Sequence, residues 1–210
     1  MLRVTADPAR PDQADLSPLV ALLRRGGVVA IPTDTLYGLA ADPCSPAAVR
    51  QIFTVKRRPA ERAVPLIASS LAQVRASLGD LSDDGARLAA RFWPGPLTLL
   101  LPTPQHLAPE VTGDGPTVGV RVPAHAAVCA LAEAFGAPIT ATSANISGEA
   151  PTADPDEVAR QLGDALDGLL DAGVLAGGLP STIVDDTSRP ARLVRAGAVP
   201  WEEIEACLRA

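Results

Sequence analysis

Val28-Val29-Ala30-Ile31-Pro32 carries no polar side chain and sits between Gly26-Gly27 and the polar Thr33-Asp34-Thr35. A strand with one wet face alternates apolar and polar residues, whereas a run without alternation is buried on both faces. Similar short runs follow at Val64–Ala68, Thr98–Leu101, Thr117–Pro123, Pro138–Ala141, Thr182–Asp185 and Ala191–Arg195, with Leu2-Arg3-Val4 as a short first strand. Helical patterns lie between them. Leu16–Arg25 has apolar residues at 16, 19, 20, 22 and 23 and stops at Gly26-Gly27. Ser45-Pro46 pairs an N-cap with a first-turn proline and opens a helix to about Val55. Ser70, Ser82 and Asp154 cap three more, to about Leu78, Phe92 and Leu162. Ala124–Phe135 ends at Gly136, and Pro200 opens Trp201–Arg209. Strands and helices mix without regular alternation. The order predicts one α/β domain with a mixed, twisted β-sheet flanked by helices, not a strict Rossmann fold. Pro102–Pro116, rich in Pro and Gly, reads as a long loop inside the domain and a candidate lid.

Composition narrows the function classes. Apolar residues make up 47% of 210, which is globular, and aromatics only 3%, so Ala, Val and Leu must build the core. The net charge of −6 argues against a protein that coats nucleic acid with a general basic field. Any anion site must be a local basic pocket. Cys44, Cys129 and Cys207 are far apart and form no C-x-x-C pair, against zinc or a disulfide framework. The N-terminus lacks the charged and apolar regions of a signal peptide, and no apolar run is long enough to span a bilayer. A cytoplasmic protein without a membrane partner is expected.

Lys56 is the only lysine, in Thr54-Val55-Lys56-Arg57-Arg58-Pro59. An ammonium is a compact point charge and a guanidinium a planar fork. A triphosphate uses both, because the charge being transferred moves while the rest must be held. A solvated basic turn at a helix end explains the same residues. Thr33, Asp34 and Thr35 follow a buried strand at its carboxyl end, where open α/β sheets bind ligands; a plain Asx- or Thr-type turn fits equally. Asn145, the only asparagine, stands in a similar polar loop. Nucleophilic catalysis has little support: His106 and His125 have no Ser or Cys partner by motif, and there is no G-x-S-x-G. A Walker pattern is absent, and metal ligands are not clustered. What remains is strand-end hydroxyls and amides with scattered cations, suited to an anionic nucleotide beside a small polar molecule.

At this level of detail the chain resembles the YrdC-like family, the threonylcarbamoyl-AMP synthases, in its short single-domain form. The resemblance runs from about Ser17 to Arg195. It is carried by Pro32-Thr33-Asp34-Thr35-Leu36-Tyr37-Gly38-Leu39, the K-x-R-P run Lys56–Pro59 and Trp93-Pro94-Gly95-Pro96-Leu97-Thr98. Val118–Pro123, Ser143-Ala144-Asn145, Ser181–Val184 and Leu193-Val194-Arg195 complete it in the family's order. The stretch from Arg58 to Pro65 is longer than in many relatives, and Arg195 is followed by Ala196-Gly197 where relatives often have Pro-Gly.

The resemblance implies one domain over 1–210, with a core of about 16–197, a last helix at 200–209, and no extra C-terminal domain. It implies a concave basic pocket and an enzyme that makes threonylcarbamoyl-AMP and pyrophosphate from L-threonine, bicarbonate and ATP. Mg²⁺ would come with ATP, with no dedicated metal ligand. Downstream enzymes would pass the group to tRNA next to the anticodon, with a weak tRNA contact as a further partner. By correspondence, Lys56 and Arg58 are the catalytic, phosphate-handling pair. Thr117, Ser143, Asn145, Ser181 and Arg195 join them on the ATP side. Thr33, Thr35 and Arg121 hold threonine, Arg121 through its carboxylate. A non-catalytic RNA-binding module of the same fold and a related carbamoyl-transfer enzyme remain open alternatives.

Overall fold

In a computed structural model, residues 1–7, 10, 14–57 and 63–209 are described. The predicted caps form. Ser45 Oγ accepts from the Ala48 amide, Ser70 Oγ from Gln73, Ser82 Oγ from Gly85 and an Asp154 oxygen from Asp156. Each satisfies one amide that a helix start leaves without a partner. In chain order the elements are β1 (Leu2–Thr5), α1 (Ser17–Arg24), β2 (Val29–Ile31), β3 (Gly38–Ala40), α2 (Pro46–Val55) and β4 (Leu66–Ile67). Next come α3 (Leu71–Leu78), α4 (Asp83–Phe92), β5 (Leu97–Pro102), α5 (Pro109–Thr112), β6 (Thr117–Arg121), α6 (Ala126–Phe135) and β7 (Ile139–Thr140). Then follow β8 (Thr142–Ser143), α7 (Pro155–Leu162), β9 (Gly168–Asp171), β10 (Thr182–Asp185), β11 (Arg192–Arg195) and α8 (Trp201–Arg209).

The architecture is the expected α/β type with mixed strands between helices, but the strands divide into two sheets. One has the order β1-β9-β2-β3-β8 and the other β11-β10-β5-β6-β4-β7. The five-stranded sheet shows why Val28–Ile31 needs no polar residue. Val29 and Ile31 enter a core with α1 and α6, while Val28 and Ala30 enter another with α2 and α7. Leu169 and Leu170 of β9 split the same way. In the six-stranded sheet Leu97, Leu99 and Leu101 pack with Val74, Leu88 and Ile204 from α3, α4 and α8. Thr98, between Leu97 and Leu99, points to the other face, into a cavity.

The chain passes from one sheet to the other at Ala141. Ile139–Thr140 pairs antiparallel with β4, and Thr142–Ser143 pairs antiparallel with β3. The buried Thr140 hydroxyl accepts from the Ala41 amide at 2.8 Å, and the Ala141 amide donates to Pro65 O at 2.7 Å.

Two expectations change. Pro102–Pro116 is not a lid. β5 extends to Pro102, α5 lies within the stretch, and Leu107, Ala108 and Val111 are buried in the core beneath the six-stranded sheet. The Ala108 amide donates to Pro43 O and the Val64 amide to Val111 O, so the segment is tied at both ends of that core contact. The inner strand β9 escapes sequence reading, because Gly-Leu-Leu-Asp is four residues of low β-propensity that only its neighbours make a strand.

Candidate active site

The turn after β2 builds itself from one hydroxyl. Thr33 Oγ1 donates to Leu36 O at 2.7 Å and accepts from the Thr35 and Leu36 amides at 3.2 Å each. Thr33 is buried, so its hydroxyl shapes the turn, while Thr35 stands beside it, its Oγ1 3.2 Å away. The turn forms one wall of a cavity of about 430 Å³. Gly38 also lines it, and an added Cβ there would stand 3.1 Å from Thr142 O, tight enough to push β3 and β8 apart by a few tenths of an ångström. The facing wall is Pro65, Leu66, Thr98 and Arg121 from the six-stranded sheet. Ala141, Thr142 and Ser143, at the crossing between sheets, form the third side, and Ser181 and Arg195 complete the lining.

Charge in the cavity is predominantly positive. The Arg121 side chain is 11% exposed, and its Nη1 donates to Asp34 Oδ1 at 2.7 Å. Burial pushes the guanidinium pKa below its ordinary value, and the Asp34 carboxylate pulls the other way. Arg195 donates through Nη2 to Ser181 O at 2.7 Å, with Ser181 Oγ at 3.3 Å. Its pKa is also lowered, first by burial of the guanidinium against the cavity and then by the like charge of Arg121. Ser181 Oγ and Thr98 Oγ1 share a hydrogen bond at 2.8 Å. Two arginines close enough to repel each other, balanced by one carboxylate, make a site for anions.

Lys56 is neither the solvated helix-end charge that was the alternative in the sequence nor a residue of the cavity lining. It caps α2 and is 3% exposed. Its ammonium donates to Ser143 O, to Asn145 O at 3.0 Å and to Asn145 Oδ1 at 3.3 Å, with Ser143 Oγ at 3.4 Å. Its own carbonyl accepts from the Ser147 amide at 2.9 Å. The Asn145 side-chain amide donates onward to Ile146 O and Glu149 O. Lys56 and Asn145 thus shape the loop 143–149 from behind, and Ser143 is the member of this group that lines the cavity.

Of the residues singled out in the sequence, Thr33, Thr35, Arg121, Ser143, Ser181 and Arg195 line one cavity. Lys56 and Asn145 stand directly behind Ser143. Thr117 is brought elsewhere. It pairs with Pro102 at the start of β6, four residues from Arg121, or about 13 Å along a strand, and does not line the cavity. Arg58 lies outside the described residues. Sequence reading placed Asp34 in the candidate ligand turn without a role of its own, and gave none to Thr98, Pro65 or Leu66. Thr98 sits in the quoted Trp93–Thr98 motif, and its place between two core leucines was the available signal.

A nucleophile finds no support here. Cys129 lies one helical turn beyond His125, a spacing the sequence reading passed over, but burial pushes its thiol up to about 11. Its Sγ donates to Pro123 O. Burial also holds the His125 imidazole below its usual value, against the pull of Asp34, and Nδ1 is buried without a partner. A thiol kept neutral beside a neutral imidazole is not an activated pair. Among the described residues no group of three or more His, Cys, Asp or Glu side chains could hold a metal ion.

Fold and site together define an α/β protein with a cavity between two sheets that is lined by two arginines and several hydroxyls. The chain belongs to the Sua5/YciO/YrdC family, described as telomere recombination, whose model matches residues 21–197. It is 39% identical to the threonylcarbamoyl-AMP synthase of Pyrococcus abyssi over 183 residues, covering 87% of this chain and 54% of the relative. It is 43% identical to that of Alkalilimnicola ehrlichii over 181 residues, covering 85% and 90%. The chain thus spans little more than half of the P. abyssi relative and nearly all of the shorter one. The crystal structure of P. abyssi Sua5 complexed with L-threonine superposes with a TM-score of 0.90 at 34% identity, covering 99% of this chain and 61% of that one. Escherichia coli YciO gives 0.83 at 25% identity, covering 97% and 98%.

Proposed function

We propose that this chain is a threonylcarbamoyl-AMP synthase. The threonine amine adds to CO2, drawn from bicarbonate, to give a carbamate. A carbamate oxygen then bonds to the α-phosphorus of ATP, the bond from that phosphorus to the bridging oxygen breaks, and pyrophosphate leaves. The protein's task is to hold two anions side by side and to stabilise charge on the phosphates. The observation that carries this reading is the juxtaposition of Arg121 and Arg195 across one cavity of an acidic protein. The likeness to synthases, and to a relative crystallised with L-threonine, supports it.

Arg121 takes the threonine carboxylate, with Thr35 beside it and Thr33 holding the turn. Ser143, Ser181 and Arg195 take the nucleotide side. Asn145 and Lys56 set the position of Ser143, and Arg58 is assigned to the phosphates by the resemblance alone. Thr117 is not carried into this assignment. Mg²⁺ neutralises the triphosphate when bound. Among the described residues no carboxylate lines the cavity, and the neighbouring Asp34 is engaged by Arg121, so this chain's residues fit a metal carried on phosphate oxygens and not one in a protein cage. Downstream transfer enzymes and tRNA would receive the product, which suits a cytoplasmic protein. No described helix is long and apolar enough to cross a membrane.

The test is incubation with threonine, bicarbonate, Mg²⁺ and ATP, with mass detection of the adenylate. Pyrophosphate release is expected to require threonine and bicarbonate together. Equal release from ATP alone would replace this reading with a simple nucleotide hydrolase.

A further inference from the structure

Asp34 stands between the two threonines of the turn and has no part in the roles above. Its carboxylate is 10% exposed and meets Arg121 through one contact, Nη1 to Oδ1 at 2.7 Å. Its second oxygen, Oδ2, lies 3.5 Å from the Ala124 amide. Among the described residues Arg121 Nε and Nη2 make no hydrogen bond. The distinction matters because a guanidinium has more than one edge. The Nε and Nη2 protons point the same way and match the two oxygens of a carboxylate. An arginine held by Nη1 alone keeps that edge open.

The pair also links the two sheets. Asp34 belongs to the turn between two strands of the five-stranded sheet, and Arg121 ends a strand of the six-stranded sheet. Asp34 itself is fixed, because the Thr33 hydroxyl ties the turn to the amides of residues 35 and 36. A long arginine side chain has costly rotamer freedom to lose on binding, and a rigid partner removes that cost in advance.

We propose that Asp34 is a positioning residue: it grips Arg121 by Nη1 so that the free Nε/Nη2 edge stays aimed at the substrate carboxylate. The proposal rests on the threonine-binding reading above. The opposite role for a carboxylate in this place is a competitor that occupies the arginine until substrate displaces it. The open edge favours positioning, since substrate need not displace anything.

The two roles differ in sign. Asp34→Asn keeps size and an acceptor oxygen but removes the charge, and Asp34→Glu keeps the charge on a longer arm. Calorimetry on the whole chain would measure threonine and ATP separately. Side-chain nitrogen resonances of Arg121 in labelled protein would report its mobility without substrate. For Asp34→Asn the expected result is about tenfold weaker threonine binding, the order of one charge-assisted hydrogen bond, and ATP binding within about twofold. Arg121 should become more mobile, and Asp34→Glu should recover part of the affinity. In an Arg121→Ala background, Asp34→Asn should change nothing further. Threonine binding that is unchanged or tighter in Asp34→Asn overturns the proposal in favour of competition. Equal losses for threonine and ATP overturn it in favour of a purely structural role. If wild-type protein binds no threonine, the function proposed above fails; Arg121 resonances equally mobile in wild type and Asp34→Asn would overturn the positioning role by itself.

Discussion

Arg121 and Lys56 are both cations, both nearly buried, and both held by residues far along the chain, yet they do opposite things. Arg121 is paired with a carboxylate through Nη1 and lines the cavity. Lys56 spends its protons on the uncharged oxygens of Ser143 and Asn145 and stands behind the wall. One presents charge to a ligand; the other holds together the loop that presents a hydroxyl. A cation's place in a motif therefore does not tell whether it touches substrate. The surrounding oxygens tell it.

The contrast can be broken by substitution, and the largest effect is expected at Lys56. Lys56→Ala removes a donor shared by Ser143 and Asn145, so it should damage both fold and reaction. Turnover should fall by a factor of about 10², as for a contact misplaced by a change behind the site. Stability should fall by about 1–3 kcal/mol, several degrees in a thermal melt. A drop in turnover with an unchanged melt would make Lys56 a phosphate ligand and not a clamp. Lys56→Arg should recover only part of either property, because a planar fork cannot reproduce the three directions of an ammonium.

Arg121→Ala comes next. It should weaken threonine binding by about 10²-fold, as for loss of a hydrogen-bonded charge partner, and leave ATP affinity nearly unchanged. A calorimetric loss confined to ATP would mean that the two sides of the cavity are assigned in reverse. Thr33→Val sharpens the comparison at a smaller scale. It should cost about 1–2 kcal/mol of stability because the turn loses its organising hydroxyl, with threonine affinity falling in parallel. If the melt is unchanged while binding is lost, Thr33 contacts substrate directly. Thr117→Ala should be silent in turnover, within about twofold, since its strand carries it away from the cavity.

These contrasts also explain what could be read from the chain. The start and length of α2 were legible because Ser45-Pro46 marks one end, and this put Lys56 at the other. Its burial was not legible, because the loop that covers it lies 87 residues on. The Asp34–Arg121 pair spans the same separation and was equally hidden. Thr117 and Arg121 share one strand, and the sequence carries no mark of which end faces the cavity. The division into two sheets was missed in part because at Ala141 one small residue separates two strands of two residues each, and nothing local marks the change of sheet. Elements with a local cause could be read; pairings between distant segments could not.

β1 carries one more consequence, for how the protein is made. Among the described residues it pairs only with β9, and its Arg3 meets Asp171, 168 residues later in the chain. At about 5–20 residues per second of synthesis, β1 leaves the ribosome roughly ten to thirty seconds ahead of its partner. Over that interval its hydrogen-bonding edge has no native mate. The strand is short and mostly polar outward, with Arg3 and Thr5 among its four residues, a composition that gives other chains little to grip while it waits.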